Sequence, residues 1–160
     1  MGELAAASES VATREAVIVV MGAGRFAVEL PAVAEVGRVP ALTRLPGAPE
    51  WLVGVANWRG RLLPVLDLRG FFGSEPGSLG PTARLVVVAA DGVTAALAVD
   101  AVEGTGGFDA VAELPAALAG AGAELLTGQI PNDRGPVALL DPTAVLRLRD
   151  SLPGRRRAAG

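Results

Sequence analysis

The apolar positions of this chain fall in short β-branched or leucine-rich runs, each cut by glycine, proline or an acid. Val17, Ile18, Val19 and Val20 make the first run, and Gly22-Ala23-Gly24 turns it into a second strand over 25–30. Neither face of the first strand is polar, which predicts burial on both sides. Pro31 ends the hairpin, and 33–36 is a short apolar segment carrying Glu35. Residues 37–49 read as loop, punctuated by Pro40, Pro46 and Pro49. Strands are expected over 53–56 and 61–66, around an Asn57-Trp58-Arg59-Gly60 bend. A hairpin across Asp91-Gly92 joins 85–89 to 94–99. Val102-Glu103 then stands where 33–36 stood. Residues 104–122 read as a mobile Gly/Ala-rich stretch with one helical turn after Pro115, and 137–140 is the last strand. Asp141 and Pro142 supply the cap and first residue of a helix over 143–150. About ten short strands and little helix predict paired small β-barrels, whose closure removes sheet edges.

A repeat underlies this order. The segment 51–68 has a weaker copy at 125–141, in which Gly54 aligns with Gly128, Arg59-Gly60 with Arg134-Gly135 and Leu66-Asp67 with Leu140-Asp141. Such a repeat predicts two related halves, about 15–73 and about 82–141, joined by the Gly/Pro/Ser-rich 73–82 linker. Residues 1–14 read as a disordered lead-in and 151–160 as a flexible tail holding Arg155, Arg156 and Arg157. Gly54 and Gly60 are expected as backbone devices. Asn57 is expected to turn the bend through its side chain, and Asp67 and Asp141 to cap the turns that follow them.

Composition narrows the chemistry. The 160 residues contain no His, Cys, Tyr or Lys. Zinc sites of the usual donor set, Cys–His nucleophiles and Ser–His–Asp triads therefore have no ligands or bases. Schiff-base and Walker-type phosphate chemistry lack their lysine. A net charge of −3 with scattered arginines argues against a broad nucleic-acid footprint. No run is long enough for a membrane helix and no secretory signal opens the chain, so the expected address is the cytoplasm. The 17 acids leave a carboxylate-pair hydrolase open, and a ligand-holding sensor barrel is a further alternative.

The order of strand hairpin, Val33-Ala34-Glu35-Val36, Trp51-Leu52-Val53-Gly54, Asn57-Trp58-Arg59-Gly60 and Leu63-Pro64-Val65-Leu66-Asp67-Leu68 resembles the CheW-like domain of bacterial chemotaxis. The resemblance covers about residues 15–150. It implies a mainly β fold of two intertwined SH3-like five-stranded barrels sharing a hydrophobic core, with a few short helices and a C-terminal helix. It implies an adaptor coupling the cytoplasmic tip of methyl-accepting chemoreceptors to the regulatory domain of a CheA-type histidine kinase, recruited to receptor arrays at the inner face of the membrane. No catalysis and no cofactor or metal are implied. A scaffold of a non-chemotactic chemosensory pathway, for twitching motility or development, is the neighbouring alternative. Trp58 stands where the family often has Leu.

The resemblance also places Arg59 near the partner-facing groove and pairs it with Glu35. Val33, Val36, Val53 and Asn57 complete the expected partner surface. Each has a plainer reading: the charges as a pin on the bend, the valines as core. The worth of the ion pair depends on its burial, being small at an exposed site and large at a buried one.

Overall fold

The computed structural model describes residues 13–116, 120 and 122–151. In chain order they form β1 (Arg14–Met21), β2 (Gly24–Glu29), a 3-10 turn (Leu30–Ala32), β3 (Val33–Arg38), β4 (Leu42–Thr43), β5 (Leu52–Trp58) and β6 (Arg61–Leu66). A second 3-10 turn (Arg69–Phe72) leads to β7 (Arg84–Ala90), β8 (Val93–Val99) and β9 (Ala101–Phe108). After another turn (Ala123–Leu125) come β10 (Leu126–Ile130), β11 (Val137–Leu140), α1 (Pro142–Leu146) and a closing 3-10 turn (Arg147–Ser151).

The strands form two sheets, ordered β10-β11-β2-β1-β9 and β3-β7-β8-β6-β5-β4. Apart from β4 the two orders are the same once β1, β2, β9, β10 and β11 are matched to β7, β8, β3, β5 and β6. Registers agree as well. Among the described residues the only parallel pairs are β11 with β2 (Leu139 opposite Ala27) and β6 with β8 (Val65 opposite Ala96). Bulges fall between Leu52 and Gly54 and between Leu126 and Gly128. The sequence repeat is thus a structural one, and the halves trade strands: β3 pairs with β7, and β9 with β1. The chain changes sheet at residues 30–32 and at Asp100, while 73–82 joins β6 to β7 within one sheet.

Alternation along the strands explains why β1 lacks a polar face. Ala16 and Ile18 enter the interior of the first barrel with Ala27, Phe108, Ile130, Val137 and Leu139. Val17, Val19 and Met21 face a larger core shared by both sheets, which also holds Leu52, Leu66, Val86, Leu97, Leu140 and Val145. On β6 to β8 the same division holds, with Val65, Val87 and Ala96 filling the second barrel and Leu66, Val86 and Leu97 the shared core. The described residues therefore form three apolar compartments, and the central strands serve two each.

Several elements depart from the sequence reading. The strand β4 lies inside the expected 37–49 loop. It is held by β5, where a Cβ on Gly54 would stand 2.6 Å from the Thr43 carbonyl oxygen. The repeat places Gly128 in the same position, 2.5 Å from the Ala112 oxygen. These glycines are needed for close backbone approach. The Gly-rich stretch from 104 is strand as far as Phe108, because β1 supplies the ladder and Phe108 is buried. β1 begins at Arg14, inside the expected lead-in, and the terminal helix gives way to a 3-10 turn after Leu146. Residues 1–12, 117–119, 121 and 152–160, with most of both expected terminal segments and of the turn after Pro115, lie outside the described residues.

The two aspartates of the repeat differ. Asp141 caps α1, its Oδ1 accepting the Thr143 and Ala144 N–H groups. Asp67 Oδ1 accepts the Arg69 N–H at 3.0 Å, the first of the 3-10 turn, although Leu68 holds the formal cap position, and the same buried carboxylate also receives the Arg69 side chain through Nε at 3.0 Å and Nη2 at 2.7 Å. Arg69 Nη1 reaches Asp100 at the sheet crossing (3.1 Å), and Asp100 Oδ2 accepts the Gly22 N–H at 2.7 Å. Hydrogen bonding to Asp67 raises the Arg69 pKa further above its already high value. One buried guanidinium thereby joins the end of β6, the second crossing and the β1–β2 turn. Arg69→Met keeps much of the stem but leaves Asp67 buried without its cation. It should lower unfolding free energy by about 3–5 kcal/mol in urea titration, and a loss under about 1 kcal/mol would contradict this role.

Candidate functional site

The β5–β6 hairpin turns through Arg59 (φ +51°) and Gly60 (φ +78°), both left-handed, as a two-residue turn between twisted strands requires. Asn57 Oδ1 accepts the Gly60 N–H at 3.1 Å and fixes the bend. Asn or Gly would occupy the Arg59 position at less steric cost, so an arginine held there points to a use for its side chain. That side chain donates to Glu35 Oε1 from Nε (2.9 Å) and Nη2 (2.7 Å), and its Cζ lies 5.5 Å from the Trp58 ring centroid. Glu35 is on β3, one edge of the six-stranded sheet, and the hairpin lies toward the other. The ion pair bridges the seam where the sheet curls into a barrel.

This seam is open to solvent: the Arg59 side chain is 69% exposed and that of Glu35 34%. Arg59 is the main cause that lowers the Glu35 pKa, with the Trp58 indole N–H adding to it. That N–H is buried and makes no hydrogen bond of ordinary geometry among the described residues. Val36 stands beside the pair, 40% exposed, while Val33 packs on the shared core and Val53 on the second barrel's interior. The ion pair joins Glu35 and Arg59, while Asn57 serves the turn that carries Arg59. Val33 and Val53 lie half in the core.

Two groups were missed in the sequence. Leu62 is opposite Asn57 on β6 and is 71% exposed, an outward apolar residue that alternation with buried Leu63 would have marked. The first barrel has its own bridged seam. Arg25 donates to Glu103 (Nη2–Oε1 2.7 Å) and to Asn132 Oδ1 (3.0 Å), and Arg134 approaches Glu103 at 3.7 Å. The alignment of Arg134 with Arg59 was the available signal. Here two arginines share one acid, and Arg25 is the main cause that lowers the Glu103 pKa. Between this seam and the Arg69–Phe72 turn opens a cleft of about 740 Å³. Its walls include Arg25, Phe26, Phe72, Leu126, Gln129 and Pro136, with the Phe26 and Phe72 rings 4.5 Å apart.

Glu29, Glu35, Asp67, Asp100, Glu103 and Asp141 are engaged in ion pairs or caps. Asp67 and Asp100 do converge, but with the Arg69 guanidinium between them, and both Asp67 oxygens are occupied. Among the described residues no group of three or more His, Cys, Asp or Glu could hold a metal ion, and no helix is long and apolar enough to cross a membrane. The site offers exposed apolar residues around oriented ion pairs, the chemistry of a docking surface.

Comparison with known proteins follows the same lines. The model of the CheW-like domain matches residues 15–150. The chain belongs to the CheW-like domain family. It is 46% identical to the protein PilI of Pseudomonas aeruginosa over 52% of its length, and 38% identical to a probable chemotaxis protein CheW of Rhizobium etli over 48%. The aligned stretches span about half of these relatives, 47% and 48%. The crystal structure of the scaffolding protein TtCheW from Thermoanaerobacter tengcongensis has the same fold, with a TM-score of 0.73 and 24% identity. The match covers 81% of this chain and 89% of that one. The CheW-like fold explains the paired sheets and the shared core.

Both seam carboxylates have pKa values below the ordinary one. A lowered folded pKa stabilises the fold above the unfolded value, about 4.3. That contribution disappears as pH falls through the folded value. Glu103→Gln should therefore destabilise the chain near neutrality, and the difference should shrink below about pH 4. Urea midpoints across this range check it, and a pH-independent difference would contradict it.

Proposed function

We propose that this CheW-like chain is a chemosensory adaptor that binds two protein partners and catalyses no reaction of its own. One partner is the regulatory domain of a CheA-type histidine kinase, and the other is the cytoplasmic tip of a methyl-accepting chemoreceptor. The site of action is the receptor array at the inner face of the membrane. The observation that carries this reading is Arg59: an exposed arginine kept in a left-handed turn and aimed by Glu35 and Trp58. Membership of the family supplies the class of partner. Val33, Val36, Val53, Asn57 and Leu62 extend the contact surface around Arg59, and the inter-barrel cleft takes the helical receptor tip.

Each contact is expected toward the low end of the roughly 1,200–2,000 Å² range of stable interfaces, with avidity supplied by the array. Whether the pathway drives chemotaxis or another chemosensory output, the coupling surfaces are the same. Arg59→Glu places like charges at the seam and should weaken capture of kinase regulatory domain or receptor tip on immobilised partner by roughly tenfold or more. Arg59→Gly, which relieves the turn, should lose the same binding at a melting temperature no lower than that of the unaltered chain. Undiminished capture by both variants removes Arg59 from the surface, and capture of neither partner by the unaltered chain removes the adaptor reading.

A further inference from the structure

Arg38 ends β3, Arg84 begins β7, and the register sets them directly opposite each other. Like charges opposed across a ladder destabilise it. Elsewhere among the described residues, Arg14 holds Glu29, Arg25 and Arg134 hold Glu103, Arg59 holds Glu35, and Arg69 holds Asp67 and Asp100. Among the described residues neither Arg38 nor Arg84 forms a salt bridge. Arg84 is nonetheless oriented. Its Nη1 donates to the Ala83 oxygen at 2.7 Å and the Pro81 oxygen at 3.3 Å, which leaves Nε and Nη2 for an outside acceptor. Beside the two arginines lies an open hollow of about 460 Å³, completed by Val39, Leu79, Gly80 and Pro81.

We propose that this hollow is an anion subsite, taking a carboxylate side chain from an acidic segment of a protein partner. The opposed arginines are a charge pattern completed by an acceptor from outside, with guanidinium forks suited to a planar carboxylate. The pair fits one or two acids, whereas a nucleic-acid backbone calls for a longer track of cations. The hollow opens at the end of β3, an edge strand with no ladder partner on its outer side among the described residues, where the β5–β6 hairpin meets it through Glu35 and Arg59 and leaves the outer side of the Arg38 end unpaired by any strand. Neither arginine touches the Glu35–Arg59 pair, and the subsite stands independently of the adaptor reading.

Isothermal titration of the full chain tests it with three probes: a Glu-rich peptide, the same peptide with every Glu replaced by Gln, and inorganic phosphate. The Glu peptide should bind, the Gln peptide should not, and phosphate should bind at least roughly tenfold more weakly than the Glu peptide. Arg84→Gln should lower affinity for the Glu peptide by roughly tenfold. Arg38→Glu should abolish that binding while raising the melting temperature, since it turns opposed like charges into an ion pair. Phosphate binding as tightly as the Glu peptide would overturn the assignment to a protein partner. So would equal binding of the Gln peptide, no binding of the Glu peptide, or undiminished affinity in either variant.

Discussion

The exchange of strands around a shared apolar core is the constraint on which the rest of this molecule depends. β3 leaves the half that precedes it to pair with β7, and β9 returns the exchange with β1. Each hairpin of the core is thus completed by strands from the other half, so neither barrel is a contiguous stretch of chain. The apolar demand is correspondingly high. Strands that face a barrel interior on one side and the shared core on the other have no position for a polar residue, which is why β1 and β7 read as unbroken runs. At the second crossing Val20 and Thr82 pair the Asp100 backbone, while Arg69 holds the Asp100 side chain that in turn accepts the Gly22 N–H.

From this frame follows the placement of the surface. Each barrel must close across a seam, and in both cases an acid on the edge strand meets an arginine on the opposite hairpin, Glu35 with Arg59 and Glu103 with Arg134. The seams are exposed because the apolar faces of the central strands are already committed to the interior. Small structural differences then give the barrels different chemistry. Arg25 enters the first seam and takes most of Glu103, while the second seam leaves Arg59 held by one acid and an indole face. The duplicated scaffold therefore carries two seams of different charge and apolar character.

Much of the architecture was legible in the residues. The repeated Gly, Arg-Gly and Leu-Asp positions announced the internal symmetry, and Asp91-Gly92 and Arg59-Gly60 marked their turns. Less local features were not. The strand β9 is written in glycines, and nothing but the ladder offered by β1 makes it a strand. β4 is only two residues long and depends on a neighbouring glycine. Asp67 does accept the first N–H of the turn after it, as a carboxylate in that place ordinarily would, but its second role, the buried pair with the Arg69 side chain, is set by burial that no linear pattern shows. Strand exchange itself has no signature in a linear pattern, since both halves read the same whether or not they trade β3 and β9.

Cutting the chain in the loop between β6 and β7 tests the exchange most directly. Fragments 1–77 and 78–160 should each be without cooperative thermal unfolding, because each lacks the strands that complete its hairpin. Mixed in equal amounts, they should recover the circular dichroism spectrum and cooperative melting of the intact protein. Either fragment folding cooperatively alone, with no change on mixing, would contradict the account.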